Sequence, residues 1–298
     1  MMKKIVLLAI ATIIGLNFAF AQDEETEKVK DKPVYDYFRN GTLIDNQTVY
    51  IPEARNFEMV IQHRFGKMNN GIKDVWGIYS PGANIRIGFN YVPIENLQIG
   101  YGLTKKNMYS DFSAKYLILH QTRKNDIPVF LAVYGNMAID GRADDVFGEN
   151  YKFSNRFSYF SSIILGRKFN DWFSLEVNGN LTHYNSVAAG NDHDKIGLGV
   201  DGQIKFSPQS AIHFMYNFPL KIQSFSEYKT DNNEWLDYPQ PTFGVGYEVF
   251  TGGHSFQIYI TSADGILPQD IHMYNATDWT KGTQGLMFGF TMNRLWMF

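Results

Sequence analysis

The stretch "ANIRIGFNY", residues 83–91, alternates strictly between two kinds of side chain. Every second residue is apolar or aromatic, from Ala83 to Tyr91, and the residues between them are small or polar, Arg86 among them. Successive side chains of a β-strand point to opposite faces of the sheet. The spacing therefore predicts a strand with one apolar face and one polar face.

The same alternation recurs from residue 57 to the end of the chain. It is found in "NLQIGYGL" (96–103), "IGLGVDGQIKF" (196–206), "PTFGVGYEV" (241–249) and "SFQIYI" (255–260). Stripes with helical spacing are rare, so we expect about twelve strands and little helix. The strands are expected near residues 57–65, 83–91, 96–104, 112–121, 127–139, 157–167, 172–184, 195–206, 211–218, 241–250, 254–262 and 285–297.

Strand and loop lengths favour a membrane protein. Most of the expected strands have about 9 to 12 residues, near the 9–11 that a bilayer-crossing strand needs, whereas strands of soluble proteins average about 5 to 6. Short connections such as "NDW" (170–172) and "TGG" (251–253) alternate with long ones such as 140–156 and 263–284. Outer-membrane barrels show this pattern, with the short turns in the periplasm. We predict an all-β fold, a transmembrane antiparallel up-and-down β-barrel of about twelve strands over residues 57–298; a secreted soluble barrel or sandwich is the alternative.

The first residues have the layout of a secretory signal. "MMKKIVLLAIATIIGLNFAFAQ" (1–22) has two lysines, an apolar run and a small-x-small ending at Ala21. The apolar run is shorter than the roughly 20 residues that span a bilayer, which argues against a membrane anchor. We expect residues 1–21 to be a signal peptide cleaved near Ala21, and the barrel to reside in the cell outer membrane.

Residues 22–56 are expected to form a periplasmic N-terminal segment. It begins as a charged linker, and its part from 33 to 55 contains the apolar and aromatic stretches "VYDYF" and "TVYIP". We expect part of it to fold into the barrel mouth as a plug. The chain has no Cys and a formal net charge of -3, which indicates neither disulfides nor a nucleic-acid partner, and we expect no cofactor.

If the apolar faces contact lipid, the polar residues between them face the barrel interior. Acidic and basic side chains are balanced on this inner face, which favours a paired network that fills the lumen over a pore selective for one ion sign, though both remain open. The charged lumen-lining candidates are Glu58, Arg64, Arg86, Lys115, Glu176, Asp201, Lys205 and Glu248.

The chain ends in "NRLWMF", residues 293–298. Trp296 and Phe298 share the lipid-facing parity of the last strand, and we expect lipid and pairing with the first strand to hold them at the membrane interface. A terminal aromatic resembles the signal read by the outer-membrane barrel-assembly machinery. The lipid bilayer and this machinery are the expected partners, although Asn293 replaces the glycine usual five residues before the end.

Three stretches could suggest enzymatic chemistry. His254 and Ser255 are adjacent and so point to opposite faces of a strand, which places a base and a nucleophile badly. No carboxylate lies at a sequence spacing from His183 and Ser186 that would indicate a catalytic group. "NDHDK" (191–195) is more typical of a solvated loop tip than of a metal site.

The motif "TGGH" is explained more simply as a tight hairpin. Gly252 and Gly253 are expected to supply positive φ between two alternating strands.

Several of these segments resemble a known family. "FEMVIQHRFG" (57–66), "FTGGHSFQIYIT" (250–261) and "DWTKGTQGLMFGF" (278–290) are similar to the bacterial outer-membrane β-barrel family called domain of unknown function 5777, and the likeness runs from about Phe38 to Arg294. The resemblance implies a fold and a location, and no biochemical activity. The predicted function is a pore or transporter for a small solute; the alternatives are a non-transporting structural or partner-docking barrel and, less favoured, a membrane-embedded hydrolase.

Overall fold

The structure, a computed structural model, describes residues 31–187, 192–221 and 239–298, and the expected signal peptide lies outside them. Twelve long strands form one closed antiparallel barrel, in which each strand pairs with its neighbours in sequence and the last pairs with the first. The predicted all-β, up-and-down transmembrane barrel of about twelve strands is confirmed.

A hairpin of β1 (Thr42–Leu43) and β2 (Asn46–Gln47) precedes the barrel. The barrel strands are β3 (Phe57–Lys67), β4 (Asn84–Ile94), β5 (Leu97–Thr104), β6 (Tyr109–Leu119), β7 (Phe130–Ile139), β8 (Phe157–Lys168), β9 (Phe173–Tyr184), β10 (Asp194–Lys205), β11 (Ser210–Leu220), β12 (Thr242–Thr251), β13 (His254–Thr261) and β14 (Met287–Trp296).

Burial alternates along the strands as the sequence pattern predicts. In β3 every second residue is buried, and these are the inward-facing ones. Outward-facing side chains are apolar and exposed: Ile163 and Ile258 are 61% and 62% exposed. An apolar surface of this extent is unfavourable in water and is stable in contact with lipid chains.

The two ends of the barrel differ. The short-turn end is where β3 begins and β14 ends, and it carries the tight turns. The long-loop end carries longer connections with short 3-10 helices and the α-helix α1 (Pro268–Tyr274), which has proline at its first position as helices favour. The 3-10 helices span Met68–Asp74, Lys106–Met108, Asp144–Phe147, Phe153–Arg156 and Trp279–Gly285. No helix in the described ranges is long and apolar enough to cross a membrane.

Barrel closure ends at Trp296, which pairs with Phe57. Their rings lie 5.7 Å apart. Phe298 follows the strand and is 84% exposed, so the expectation that it pairs with the first strand is wrong. Before Phe57 the chain still bonds to β4, because the carbonyl of Asn56 accepts a hydrogen bond from the Val92 amide.

The hairpin between β12 and β13 differs from the expectation at one residue. Gly252 has a φ of 62°, whereas Gly253 is outside the positive-φ region, so the expectation of positive φ at both residues is wrong. Positive φ at the first central residue alone is the pattern of a type II′ hairpin turn. A side chain at Gly253 would instead approach the Leu295 carbonyl oxygen at 3.1 Å.

Candidate functional site

Residues 36–51, here called the plug, lie inside the barrel. The plug starts at the short-turn end, where Asp36 contacts Lys205 of β10, and its hairpin of β1 and β2 is buried in the lumen. Leu43, Ile44 and Val49 are at most 1% exposed. They pack in one apolar cluster with inward-facing wall residues that include Phe130, Ala132, Ile164 and Met215.

The tip of the plug carries a buried ion pair. Asp45 pairs with Arg64 of β3, and the two side chains are 1% and 2% exposed. Asp45 also accepts a hydrogen bond from the Thr261 hydroxyl at 2.9 Å. The Arg64 guanidinium donates a second hydrogen bond to the carbonyl of Ala263, in the loop that follows β13. One guanidinium therefore joins the plug, the wall and that loop.

Two wall carboxylates bind the plug next to each other. Glu176 of β9 and Asp201 of β10 are directly opposite in the strand register. Like charges in this arrangement repel each other. The plug supplies the donors that offset the repulsion, because the Val49 amide donates to Glu176 at 3.2 Å and the Asn46 side chain donates to Asp201 at 2.7 Å. Asn178 of β9 also donates to Asp201 at 2.7 Å, so the plug and the wall together supply the donors of this pair.

The wall also offers cations to the plug. Lys115 of β6 is 1% exposed and donates to the carbonyls of Gly41 and Thr48 at 3.1 and 3.2 Å. Lys205 of β10 contacts Asp36 at 2.6 Å where the plug enters the barrel. Burial alone would raise the pKa of Asp36, but its hydrogen bond and charge interaction with Lys205, with a smaller contribution from Arg39, lower that pKa overall.

The other charged wall residues have various partners. Glu248 lies 3.1 Å from His213, a wall neighbour, and accepts a hydrogen bond from Asn40 of the plug. Glu58 accepts hydrogen bonds from Asn90 and Asn293 at 2.9 and 2.8 Å.

Arg86 of β4 is held within the wall. It binds Asp111 of β6 through two hydrogen bonds of 2.9 and 2.7 Å. Gly102 leaves room for this pair, because a side chain there would lie 2.4 Å from the guanidinium.

The structure places all the charged lumen-lining candidates on the inner face, yet their partners differ from the expectation. Among the described residues, no hydrogen bond or ion pair joins two of these candidates, so the expected network among them is not formed. Asp111 was missed because its strand is predicted to begin at residue 112, whereas it begins at Tyr109. Asp36 and Asp45 were missed because the irregular plug has no alternation that would indicate where a side chain points.

A second segment enters the lumen from the long-loop end. Residues 262–275, here called the inner loop, contain α1 and bury Ile266, Leu267 and Ile271. Asp270 of α1 accepts hydrogen bonds from the hydroxyls of Tyr109 and Tyr184 at 3.3 and 2.9 Å. These contacts fix the helix to β6 and β9.

Little space remains between the plug and the inner loop. A cavity of about 30 Å³ is lined by polar wall residues such as Gln62, Asn178 and Asn180 together with Asp45 and Leu267. A second one, beside Lys115, measures about 20 Å³. One water needs roughly 10–15 Å³, so the first cavity has room for about two or three waters, the second for about one or two, and neither for a solute.

The residues considered for catalysis are engaged in other contacts. His254 lies 2.9 Å from the Arg294 guanidinium, while Ser255 points inward and donates to Glu248 at 2.7 Å. The strand register brings Asp194 to 2.8 Å from His183 Nδ1, a carboxylate that the sequence spacing had not indicated.

The other ring nitrogen of His183 also faces an oxygen. Nε2 lies 3.1 Å from the side-chain oxygen of Asn185, so the contacts leave neither nitrogen directed at a nucleophile. Within the described ranges, no cluster of three His, Cys, Asp or Glu residues could hold a metal ion.

Comparison with known proteins agrees with the barrel fold. An outer-membrane channel from Pseudomonas putida F1 is 10% identical, with a TM-score of 0.53, over 83% of this chain and 97% of that chain. The KdgM porin is 7% identical, with a TM-score of 0.44, over 82% of this chain and 99% of that chain. No curated protein matches the sequence. Residues 38–296 match the model of a family described as a membrane-bound β-barrel domain, domain of unknown function 5777, and the chain belongs to this family.

Proposed function

We propose that the protein is a gated channel for small polar solutes in the bacterial outer membrane, and that the plug and the inner loop close it. The observation that carries this proposal is the polarity of the wall behind the plug. Lys115, Glu176 and Asp201 are buried by the plug and bonded to it. Charged groups of this kind are well hydrated when water replaces a protein partner, so the lumen can fill with water when the plug leaves.

The opposed carboxylates strengthen this argument. Glu176 and Asp201 face each other across β9 and β10, an arrangement that is unfavourable in a dry interior. A barrel that is always filled could replace them with apolar residues and gain stability. Their presence is explained by a lumen that exchanges the plug for water during function.

Liposome swelling with neutral sugars of increasing size, combined with planar-bilayer recording, tests the proposal. We expect the intact protein to be closed most of the time, with brief openings and an upper size limit for the solutes. Absence of openings and of swelling, also after the plug is removed from a folded barrel, would refute it.

A second function is favoured by the apolar contacts of the plug. Leu43, Ile44 and Val49 pack against the wall like a protein core, and burying each contributes about 1.5–3 kcal/mol. A structural or partner-docking barrel would keep this core permanently. In that case, removing the plug would unfold the barrel, which heat-modifiable gel migration detects.

The hydroxyls that hold α1 provide a test of the inner loop. We expect the double variant Tyr109→Phe/Tyr184→Phe to remove both hydrogen bonds from Asp270 and to destabilise the docked helix by about 2 kcal/mol. The undocked population of α1 should then rise roughly 30-fold, which planar bilayers detect as more frequent openings of higher conductance. Tyr216→Phe is the control, because Tyr216 is on the outer face; an equal rise in that variant would contradict the assignment.

The outer-membrane location depends on insertion of the barrel. We propose that the signal peptide is cleaved near Ala21 and that the barrel-assembly machinery reads the terminal aromatic residue. Deletion of Phe298 should lower the heat-modifiable, membrane-inserted fraction severalfold, although no strand pairing is lost. Met297→Ala, which keeps the terminal aromatic, should insert normally. Normal insertion of the truncated chain would show that Phe298 is not part of the signal.

A further inference from the structure

A third cavity, here called the mouth pocket, opens at the long-loop end. It measures about 470 Å³, and its lining includes Asn107, Tyr109, Arg142, Phe147, Tyr184 and Tyr274. Small-molecule sites are typically concave, about 300–1,000 Å³ in volume, and lined by aromatic rings with a few polar groups. The volume of the mouth pocket falls within this range, and its lining combines aromatic rings with several polar side chains.

One wall of the mouth pocket is held in place by stacked and paired side chains. The Arg142 and Arg156 guanidiniums lie 5.9 and 5.0 Å from the centre of the Phe147 ring. Arg142 binds both carboxylate oxygens of Asp140, with its closest contact at 2.6 Å. Arg156 also donates to the carbonyl of Asp140 at 2.7 Å. This wall is therefore ordered by its own contacts before any solute arrives.

The charges around the mouth pocket are matched. Arg142 pairs with Asp140, Arg156 pairs with Asp144, and Lys106 pairs with Asp270. A charged solute would find no unmatched charge of opposite sign among these groups, and its desolvation would be uncompensated. The paired groups still present hydrogen-bond donors and acceptors to neutral hydroxyls.

The floor of the mouth pocket belongs to the inner loop. Tyr274 of α1 lies edge-on to Tyr184, with ring centres 5.1 Å apart. The hydroxyls of Tyr109 and Tyr184, which also line the pocket, hold Asp270 of the same helix. A solute in the pocket thus contacts the side chains that fix α1 inside the lumen.

We infer that the mouth pocket binds a neutral sugar, which the channel of the proposed function then admits. The aromatic rings of the lining, Phe147 and Tyr274 among them, suit the apolar faces of a sugar ring, and the paired polar groups suit its hydroxyls. The bound sugar competes for the hydroxyls of Tyr109 and Tyr184 and so weakens their hold on α1. Binding and opening are coupled because the same two side chains take part in both.

Saturation-transfer NMR of the full chain in detergent, with maltose and with glucuronate as ligands, tests this inference. We expect maltose to bind in the millimolar range and glucuronate to bind more weakly. Phe147→Ala removes one wall and should weaken maltose binding roughly tenfold. Phe153→Ala should have no effect, because Phe153 is an exposed aromatic residue of the same connection outside the pocket.

Tyr274→Ala, in the inner loop, provides a second variant in case loss of Phe147 disorders the wall. The inference is overturned if maltose does not bind, if glucuronate binds more tightly, or if neither pocket variant weakens maltose binding. Planar-bilayer recording separates the two proposals. If maltose binds but no conductance is seen, the sugar site stands and the channel proposal is refuted. If sugars pass without binding, the channel proposal stands and the sugar site is refuted.

Discussion

Deletion of residues 33–55 is expected to give a folded barrel that conducts ions continuously in planar bilayers. The deletion removes the whole plug and leaves all barrel strands intact, because the first of them begins at Phe57. The apolar cluster around Ile44 is lost, but the wall groups that bound the plug are charged and become hydrated. The intact protein should show only rare openings under the same conditions.

The inner loop limits the size of this effect. It remains docked after the deletion, because Asp270 keeps its contacts with Tyr109 and Tyr184. Ions and small sugars should therefore pass, while larger oligosaccharides should be excluded in liposome swelling. Deleting residues 22–30 is the matched control and should leave conductance unchanged. A plug-deleted barrel that migrates as a folded species yet does not conduct would contradict closure by the plug.

The strands could be predicted because lipid imposes one simple rule on every strand. Each must turn an apolar face outward, so the period of two is present in all of them, and the predicted ends lie within a few residues of the observed ones. Helix α1 was not predicted, because its seven residues are too few to establish a helical pattern. The sequence therefore predicted the barrel and a plug from the N-terminal segment, but not the inner loop.

The candidate site was predictable only in part, for a related reason. Alternation shows that Glu176 and Asp201 point inward, but it does not show that the register places them opposite each other. Nor does it show that an irregular segment far away in the sequence supplies Val49 and Asn46 as their donors. The balanced charges on the wall suggested that they pair with one another. In the structure, some of them have partners elsewhere in the wall and others have partners in the plug.

The Arg64→Met variant is expected to release the plug and to loosen the inner loop at the same time. The substitution leaves Asp45 as a buried charge without its ion-pair partner and removes the donor to the Ala263 carbonyl. Breaking a buried pair in this way costs about 3–5 kcal/mol, which is at least a roughly 100-fold increase in the open population. Single-channel recording should show this as a higher open probability and as a conductance above that of the plug-deleted barrel.

Comparison with Asp45→Ala separates the two contacts of Arg64. That variant loses the ion pair but keeps the hydrogen bond from Arg64 to Ala263, so the plug should be released while the inner loop stays docked. Its conductance should match that of the plug-deleted barrel, whereas Arg64→Met should exceed it. Arg55→Met, at an exposed position, controls for loss of a positive charge. The double variant Arg64→Met/Asp45→Leu should recover part of the closure, because an apolar pair can replace a buried ion pair at little cost. If Arg64→Met and Asp45→Ala give the same conductance, the plug and the inner loop are not coupled through this guanidinium.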